Sequence, residues 1–283
     1  MPTEPGTLYL VATPIGNLED ITLRALRLLR EADLVAAEDT RRTRKLLSAH
    51  NIRRRLLSYH EHNLKTQGPR LLRGLAEGKS VALVTDAGTP GISDPGMDLV
   101  RGALVQGIQV TAIPGPSAVT TALTVSGLPT HRFLFLGFPP SRPASRRAFL
   151  TKHARTEETL VLFESPKRLA ASLRDMRKIW GNRKVTVARE MTKVHEEVFR
   201  GNIEEAIVHW PTTARGEITL LVAGAESGER TPEDSLIEHL KNCLASDRRP
   251  LKQVASDVAQ ERGISRRLVY QEALKLKREL SEP

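Results

Sequence analysis

The 283-residue chain has a single cysteine, Cys243, and few aromatic residues, 4% of the total. One thiol excludes an internal disulfide and any cysteine-based zinc or iron–sulfur site, which fits a reducing compartment. The shortage of Phe, Trp and Tyr means aliphatic cores and few rings for stacking bases. No stretch reaches the roughly 18 apolar residues of a membrane span. The opening Met-Pro-Thr-Glu-Pro-Gly-Thr-Leu-Tyr-Leu has no basic segment and no long apolar run. The expectation is a soluble, cytosolic protein with no membrane partner. Where a nicotinamide site would need G-x-G-x-x-G after the first strand pattern, only Gly16 is present. His60 and His62 stand two apart with no third ligand spaced nearby, so no metal is expected.

What the chain has in excess is positive charge, formally +10, alongside an apolar fraction of 40%. The length suggests two domains, or two with a small appendage. The charge favours an anionic partner, nucleic acid first, although a solubility surface would give the same count. The most shaped segment is Asp86-Ala-Gly-Thr-Pro-Gly-Ile-Ser-Asp-Pro-Gly96. It follows the buried-strand pattern Ser80–Thr85 and precedes the helical pattern Met97–Val105. Glycines let a backbone turn and let a ligand approach, while prolines fix φ. In an open α/β sheet the carboxyl ends of the strands are where ligands bind. Eleven residues exceed what a plain connection needs, so this is read as a binding loop.

Thr7–Thr13 reads as a strand, broken by Pro14–Asp20. Residues 22–32 read as a helix with Leu23, Leu26 and Leu29 inward and Arg24, Arg27 and Arg30 outward. Leu34–Asp39 is a second strand ending in two carboxylates, with Thr40 placed to cap the helix Arg41–Ala49. Asp39 and Glu38 can bind ligand hydroxyls or pair with Arg41, Arg42 or Arg44, and pairing is the favoured reading for Glu38. Leu56–His60 is a third strand and Gln67–Glu77 a helix. Gln109–Ile113 is a further strand, cut by Pro114-Gly-Pro116. Ser117 then opens a helix, as its cap, as a ligand contact, or both. After Gly127-Leu-Pro-Thr130 the pattern changes to strands at 133–136, 159–163, 184–189, 196–201 and 217–223. With only two clear helices among them, and 139–147 read as an arginine-bearing loop, this half reads as a mixed sheet. Gly224–Pro232 reads as a linker to a helical tail. There, residues 251–270 resemble a helix-turn-helix with Gly263 at the turn and Ser265 as a cap. Arg262, Arg266 and Arg267 would touch nucleic acid, or the tail is a packing module.

Four stretches, Leu8–Ile21, Glu38–Arg41, Val84–Gly96 and Ile113–Ala118, together resemble the tetrapyrrole-methylase (class III) family of S-adenosylmethionine-dependent methyltransferases. Phe163–Arg168 and Ala188–Lys193 support the match. Within that family the chain is similar to the branch acting on a cytidine ribose 2′-hydroxyl of 16S ribosomal RNA. The resemblance implies two α/β lobes with the cofactor in the cleft between them, plus a small C-terminal helical domain. Residues 1–127 would form the first lobe, 128–225 the second, and 226–283 the linker and tail. It implies S-adenosylmethionine as cofactor, 16S rRNA within the small ribosomal subunit as partner, and a homodimer. Cofactor contacts would come from Asp86, Ala87, Gly88, Gly91, Ile92, Ser93, Asp94, Ser117, Ala118, Phe163, Glu217 and Thr219. Substrate contacts would come from Pro14, Gly16, Asn17, Glu38, Arg41, Arg42 and Arg44. A methylase of a tetrapyrrole or other small substrate, or a non-catalytic RNA-binding assembly factor, would use the same scaffold.

Methyl transfer from a sulfonium to a ribose hydroxyl needs alignment and a proton acceptor, and no metal. Candidates for the base are Asp39, His60, Glu190 and Glu217, while Lys193 or Arg189 could stabilise developing oxyanion character. Taken singly, each of these suits a salt bridge as well, and the base is not assigned. Arg41, Arg42, Arg44, Lys45, Arg53–Arg55, Arg142, Arg146 and Arg147 are the basic groups expected to meet phosphates.

Overall fold

The structure is a computed structural model that describes residues 4–94, 96–225, 236, 240, 243, 250–262 and 265–279. The described residues up to Ala225 form one compact unit, and those from Leu236 onward form a second.

The first unit holds two five-stranded sheets. In the first, β1 (Thr7–Val11), β2 (Leu34–Ala37), β3 (Leu56–Ser58), β4 (Val81–Val84) and β5 (Gln109–Ile113) run parallel in the order β3-β2-β4-β1-β5. Parallel strands need crossovers, here the helices α1 (Leu23–Glu31), α2 (Thr40–Ala49), α3 (Leu64–Ala76) and α4 (Met97–Val105). The period-2 alternation of the strands decides which helices cover which face. Val11, Val35, Ala82 and Val84 pack with Leu26 and Leu29 of α1 and Leu46 and Leu47 of α2. Leu8, Ala36, Val81 and Leu83 pack with Leu71 and Leu75 of α3 and Leu99 and Ala103 of α4. Leu23, expected inward, is instead 85% exposed, and the buried stripe of α1 is Ala25, Leu26, Leu28 and Leu29. Residue 23 is the first helical position, directly after the capping Thr22, and lies beyond the sheet-facing stripe.

Two other boundaries move for local reasons. Asp39, not Thr40, caps α2: its carboxylate accepts the Arg41 N–H at 2.8 Å. A side chain that accepts such a bond is worth about 1 kcal/mol to a helix. β3 ends at Ser58 because Asn63 closes a turn there, accepting the His60 N–H at 2.9 Å and donating to the Ser58 carbonyl at 3.0 Å. That turn starts α3 at Leu64, three residues before the expected position.

The second sheet is mixed, with β6 (Phe133–Phe135), β7 (Thr159–Glu164), β8 (Lys184–Arg189), β9 (Glu197–Asn202) and β10 (Ile218–Val222) in the order β6-β7-β10-β8-β9. Only β6 and β7 pair in parallel. Three helices accompany it, α6 (Pro143–Lys152), α7 (Leu169–Trp180) and α8 (Ile203–His209). The expected arginine loop is therefore helical from Pro143, a residue pre-set for the first turn of a helix. Arg146 is a correction as well. It is 4% exposed and binds Asp175 of α7 at 2.7 Å, so it is a core ion pair and does not meet phosphate.

One face of this sheet is covered by α6, α7 and α8 through Leu150, Leu173, Met176, Trp180 and Ile203. The other face is covered by α5 (Ala118–Ser126), whose Val119, Ala122 and Leu123 pack with Val161, Ala188 and Leu221. Ile15, from the loop after β1, joins this cluster. The two sheets are thus tied together by α5 and by the first loop.

The second unit contains α9 (Leu251–Arg262) and α10 (Arg266–Glu279), packed through Val254, Val258, Val269, Ala273 and Leu276. Helices stand on both sides of the expected turn, while Gly263 itself and the Arg262 side chain lie outside the described residues. Arg266 and Arg267 are exposed. The expected linker also lies outside them from Glu226 onward.

Candidate functional site

Four chain segments leave the carboxyl ends of the first sheet: residues 12–22 after β1, 38–39 after β2, 85–96 after β4 and 114–117 after β5. They meet because β1 and β4 are neighbours at the centre of the sheet, where the order of connections reverses. Thr13 and Gly88 pair backbone to backbone, N–H to carbonyl in both directions, at 2.9 and 3.0 Å. The Thr13 hydroxyl donates to the Thr85 carbonyl at 3.1 Å. Gly88 holds φ at +80°, a conformation that a β-carbon disfavours.

Between this edge and the second sheet lies a cavity of about 400 Å³. Its size suits a small organic ligand. One wall is the loop residues Asp86, Ala87, Gly88, Thr89, Ile92, Ser93 and Asp94, with Ser117, Ala118 and Val119 of the α5 terminus. The opposite wall is Phe138, Phe163–Pro166, Met191 and Gly216–Thr219. Of the twelve expected cofactor residues, the cavity brings together all but Gly91. Ser117 makes no side-chain capping bond, which leaves its hydroxyl to the cavity. Glu38, expected in an arginine pair, instead lines the cavity and accepts the Asp86 N–H at 3.4 Å.

The acids along this wall are electrostatically uncomfortable. Burial, then the charge of Glu38, pushes the Asp94 carboxyl up to about 7. Burial also raises Glu38, with the charge of Asp86 adding to it. Arg42 approaches this wall, its Nε 3.5 Å from Asp86 Oδ2.

A second, smaller space of about 250 Å³ adjoins the first. It is lined by Thr13, Pro14, Gly16 and Leu18 of the first loop, Arg42, Thr43 and Lys45 of α2, and Lys193. Ile15, Arg42, Asp86, Ala87 and Glu217 border both spaces. Among the expected substrate residues, Pro14, Gly16 and Arg42 line this groove, Glu38 lines the larger cavity instead, and Asn17, Arg41 and Arg44 line neither. Asn17 is anchored beside it, its N–H donating to the Thr192 hydroxyl at 3.0 Å. Gly16 sits so close to the 191–193 turn that a β-carbon would fall 2.5 Å from Lys193 Cγ and 2.8 Å from the Met191 carbonyl oxygen.

Of the candidates for catalysis, Glu217 borders both spaces and Lys193 lines the groove, whereas Asp39, His60, Glu190 and Arg189 line neither. The Lys193 ammonium is held by Glu190 at 2.7 Å and Glu217 at 2.9 Å. Burial works against that charge, but the two carboxylates win and hold Lys193 above its ordinary range. Glu190 is correspondingly lowered, first by its bond to Lys193. Asp39 is lowered to about 2 by its bidentate grip on Arg41. His60 stacks edge-on against His62 and borders neither space. Among the described residues, no group of three or more His, Cys, Asp or Glu side chains is placed to hold a metal ion.

Sequence reasoning missed Phe138 and Met191 in the cavity wall. It also placed Lys45 only among general phosphate contacts, although it lines the groove. The Gly-Phe-Pro-Pro run at 137–140 was the available signal for Phe138, since glycine and proline at a strand end shape a turn.

The family profile of tetrapyrrole (corrin/porphyrin) methylases matches residues 7–207. The chain is 50% identical over 276 residues to a Halalkalibacterium halodurans protein named ribosomal RNA small subunit methyltransferase I, covering 94% of both chains. It is 51% identical over 222 residues to a Thermotoga maritima protein of the same name, covering 78% of this chain and 100% of that one. Among solved structures, a uroporphyrin III C-methyltransferase from Thermus thermophilus aligns with a TM-score of 0.56 at 21% identity, covering 77% of this chain and 97% of that one. A diphthine synthase aligns at 0.59 and 18% identity, covering 77% and 90%. These two share the fold of the two-sheet unit.

Proposed function

The chain belongs to the tetrapyrrole methylase family, and from that premise we propose that it methylates a cytidine ribose 2′-hydroxyl of 16S ribosomal RNA. The observation that carries this reading is the near-full-length identity to proteins named ribosomal RNA small subunit methyltransferase I. The methyl donor is proposed to be S-adenosylmethionine, and the residues fit such a ligand. The 400 Å³ cavity combines apolar walls at Ile15, Ile92, Phe138 and Met191 with three carboxylates, Glu38, Asp86 and Asp94, that are short of cations. A donor bearing a sulfonium and an ammonium would supply the missing positive charge.

When bound, S-adenosylmethionine supplies an electrophilic methyl group, so the protein's task is placement, proton removal and exclusion of water. The loop 86–94 and the α5 terminus would hold the donor from the first lobe, and Phe163 and Thr219 from the second. Pro14, Gly16 and Arg42 would seat the nucleotide in the adjoining groove, with Lys45 meeting its phosphates. A homodimer in the cytoplasm is proposed on the family resemblance. The test is mass spectrometry of rRNA nucleosides after incubating the purified protein and S-adenosylmethionine with unmethylated small subunits. A gain of 2′-O-methylcytidine supports the reading. No gain, or methylation of a porphyrinogen in parallel reactions, overturns it.

A further inference from the structure

We propose that Glu217 is the base that takes the proton from the attacking hydroxyl, and that Lys193 is the residue that positions it. This inference rests on the methyl-transfer reading above.

The proton must leave where the two spaces meet, because the methyl group crosses there. Five residues border both spaces, and only two of them, Asp86 and Glu217, can accept a proton. Asp86 is committed. Its Oδ1 accepts the Asp39 N–H at 3.0 Å and its Oδ2 lies 3.5 Å from Arg42 Nε. Glu217 is held by one oxygen only: Oε2 accepts from Lys193 Nζ at 2.9 Å, and among the described residues Oε1 has no partner. The side chain is 61% exposed, so a proton taken up can pass on to water.

The frame around Glu217 is rigid where the side chain is not. Its N–H donates to Glu190 Oε1 at 2.9 Å, and its carbonyl accepts the Glu190 N–H at 2.9 Å. Glu190 also holds Lys193. Glu190 and Thr192 both adopt left-handed backbone, with φ of 52° and 66°. Such conformations persist only where surrounding bonds fix them. Glu190 thus acts through Lys193, and Lys193 through Glu217. The remaining candidates, Asp39 and His60, border neither space.

The step balances simply. The hydroxyl oxygen forms a bond to the methyl carbon, the carbon–sulfur bond breaks with its electron pair leaving on sulfur, and the hydroxyl proton passes to Glu217. The hydroxyl grows acidic as the new bond forms, so a carboxylate within reach is sufficient as acceptor.

The experiment compares the wild-type chain with Glu217→Gln, Lys193→Met and Lys193→Arg, using small subunits as acceptor. Calorimetry with S-adenosylhomocysteine serves as a readout independent of turnover. Glu217→Gln is expected to keep its affinity for S-adenosylhomocysteine and to lose about 10²–10⁴-fold in kcat, the range of a general base. Its residual rate should climb about tenfold per pH unit, as hydroxide replaces the side chain, while the wild type levels off. Lys193→Met should lose less, keep the wild-type pH profile, and be rescued by Lys193→Arg. A Glu217→Gln variant with wild-type kcat overturns the assignment. So does one whose loss of kcat is matched by loss of S-adenosylhomocysteine affinity, because Glu217 would then only hold the donor. An inactive wild type that leaves the rRNA unmethylated would instead reject the parent reading.

Discussion

Two groups of carboxylates edge the cleft, and the fold keeps them in opposite electrostatic states. Glu38 and Asp86 stand at strand ends of the first sheet and Asp94 in the loop beyond β4, crowded together, with Asp94 and Glu38 raised above the usual carboxylate range. Glu190 and Glu217 stand on the second sheet's side, tied to Lys193, with Glu190 lowered. A buried acid without a partner costs stability, whereas a paired one is settled within the fold. The difference teaches which side awaits a cation from outside and which side is already complete. The first group is the donor's wall. The second is a scaffold that aims one carboxylate at the groove.

The comparison breaks most visibly if the first group is neutralised. Glu38→Gln combined with Asp94→Asn should weaken S-adenosylmethionine binding by about 10–100-fold, on the order of 1.4–2.8 kcal/mol for the two together at a partly buried site. Calorimetry measures it, and unchanged affinity would mean that the wall receives no cation. Next in size is Gly16→Val, which drives a side chain into the 191–193 turn. Methylation of small subunits should fall by about tenfold in kcat/KM, since misplacing a positioning loop is costly. Donor affinity should hold, which radiolabel transfer and calorimetry together can separate.

A pH series sharpens the contrast. Asp94 has an ordinary carboxylate value when unfolded and one of about 7 when folded. The native state therefore binds that proton more tightly. Its stability falls as pH rises from the unfolded value toward 7, and the loss is complete above 7. Asp94→Asn should raise the melting temperature of the ligand-free protein at pH 8 and leave it unchanged at pH 4. A cation beside Asp94 favours its ionised form, so donor binding near pH 7 should release up to about half a proton. Calorimetry in buffers of different ionisation enthalpy reads this release, and the Asp94→Asn variant should show none. The smallest effect is expected at Lys45, exposed on α2 at the groove. Lys45→Ala should weaken rRNA binding by a few-fold and reduce the slope of log affinity against log salt by about one. An unchanged slope would remove Lys45 from the phosphate path.

Much of the first lobe was legible because its chemistry is local. A buried strand, a loop dense in Gly, Pro and Asp, and a helix follow one another at 80–105, and the loop's place at a strand's carboxyl end locates the cavity. What the sequence could not show depends on long-range packing. Arg146 reads as a phosphate contact until Asp175, 29 residues on, is seen to bury it. Leu23 fits the helical stripe by spacing and yet lies outside the sheet's reach. Capping by Asp39 in place of Thr40 turns on a one-residue shift that either side chain could satisfy. Glu217 reads as one carboxylate among several candidates, because its distinction is geometric. It borders two spaces at once, and that follows only from how α5 and Ile15 tie the two sheets together.

The most direct measurement is a crystal structure with S-adenosylhomocysteine bound. The thioether sulfur is predicted to lie at the wall shared by the two spaces, beside Ile15, Ala87 and Glu217 and open to the groove lined by Gly16 and Lys193. A ligand bound elsewhere, or one whose sulfur is walled off from that groove, would contradict the assignment of donor cavity, acceptor groove and base alike.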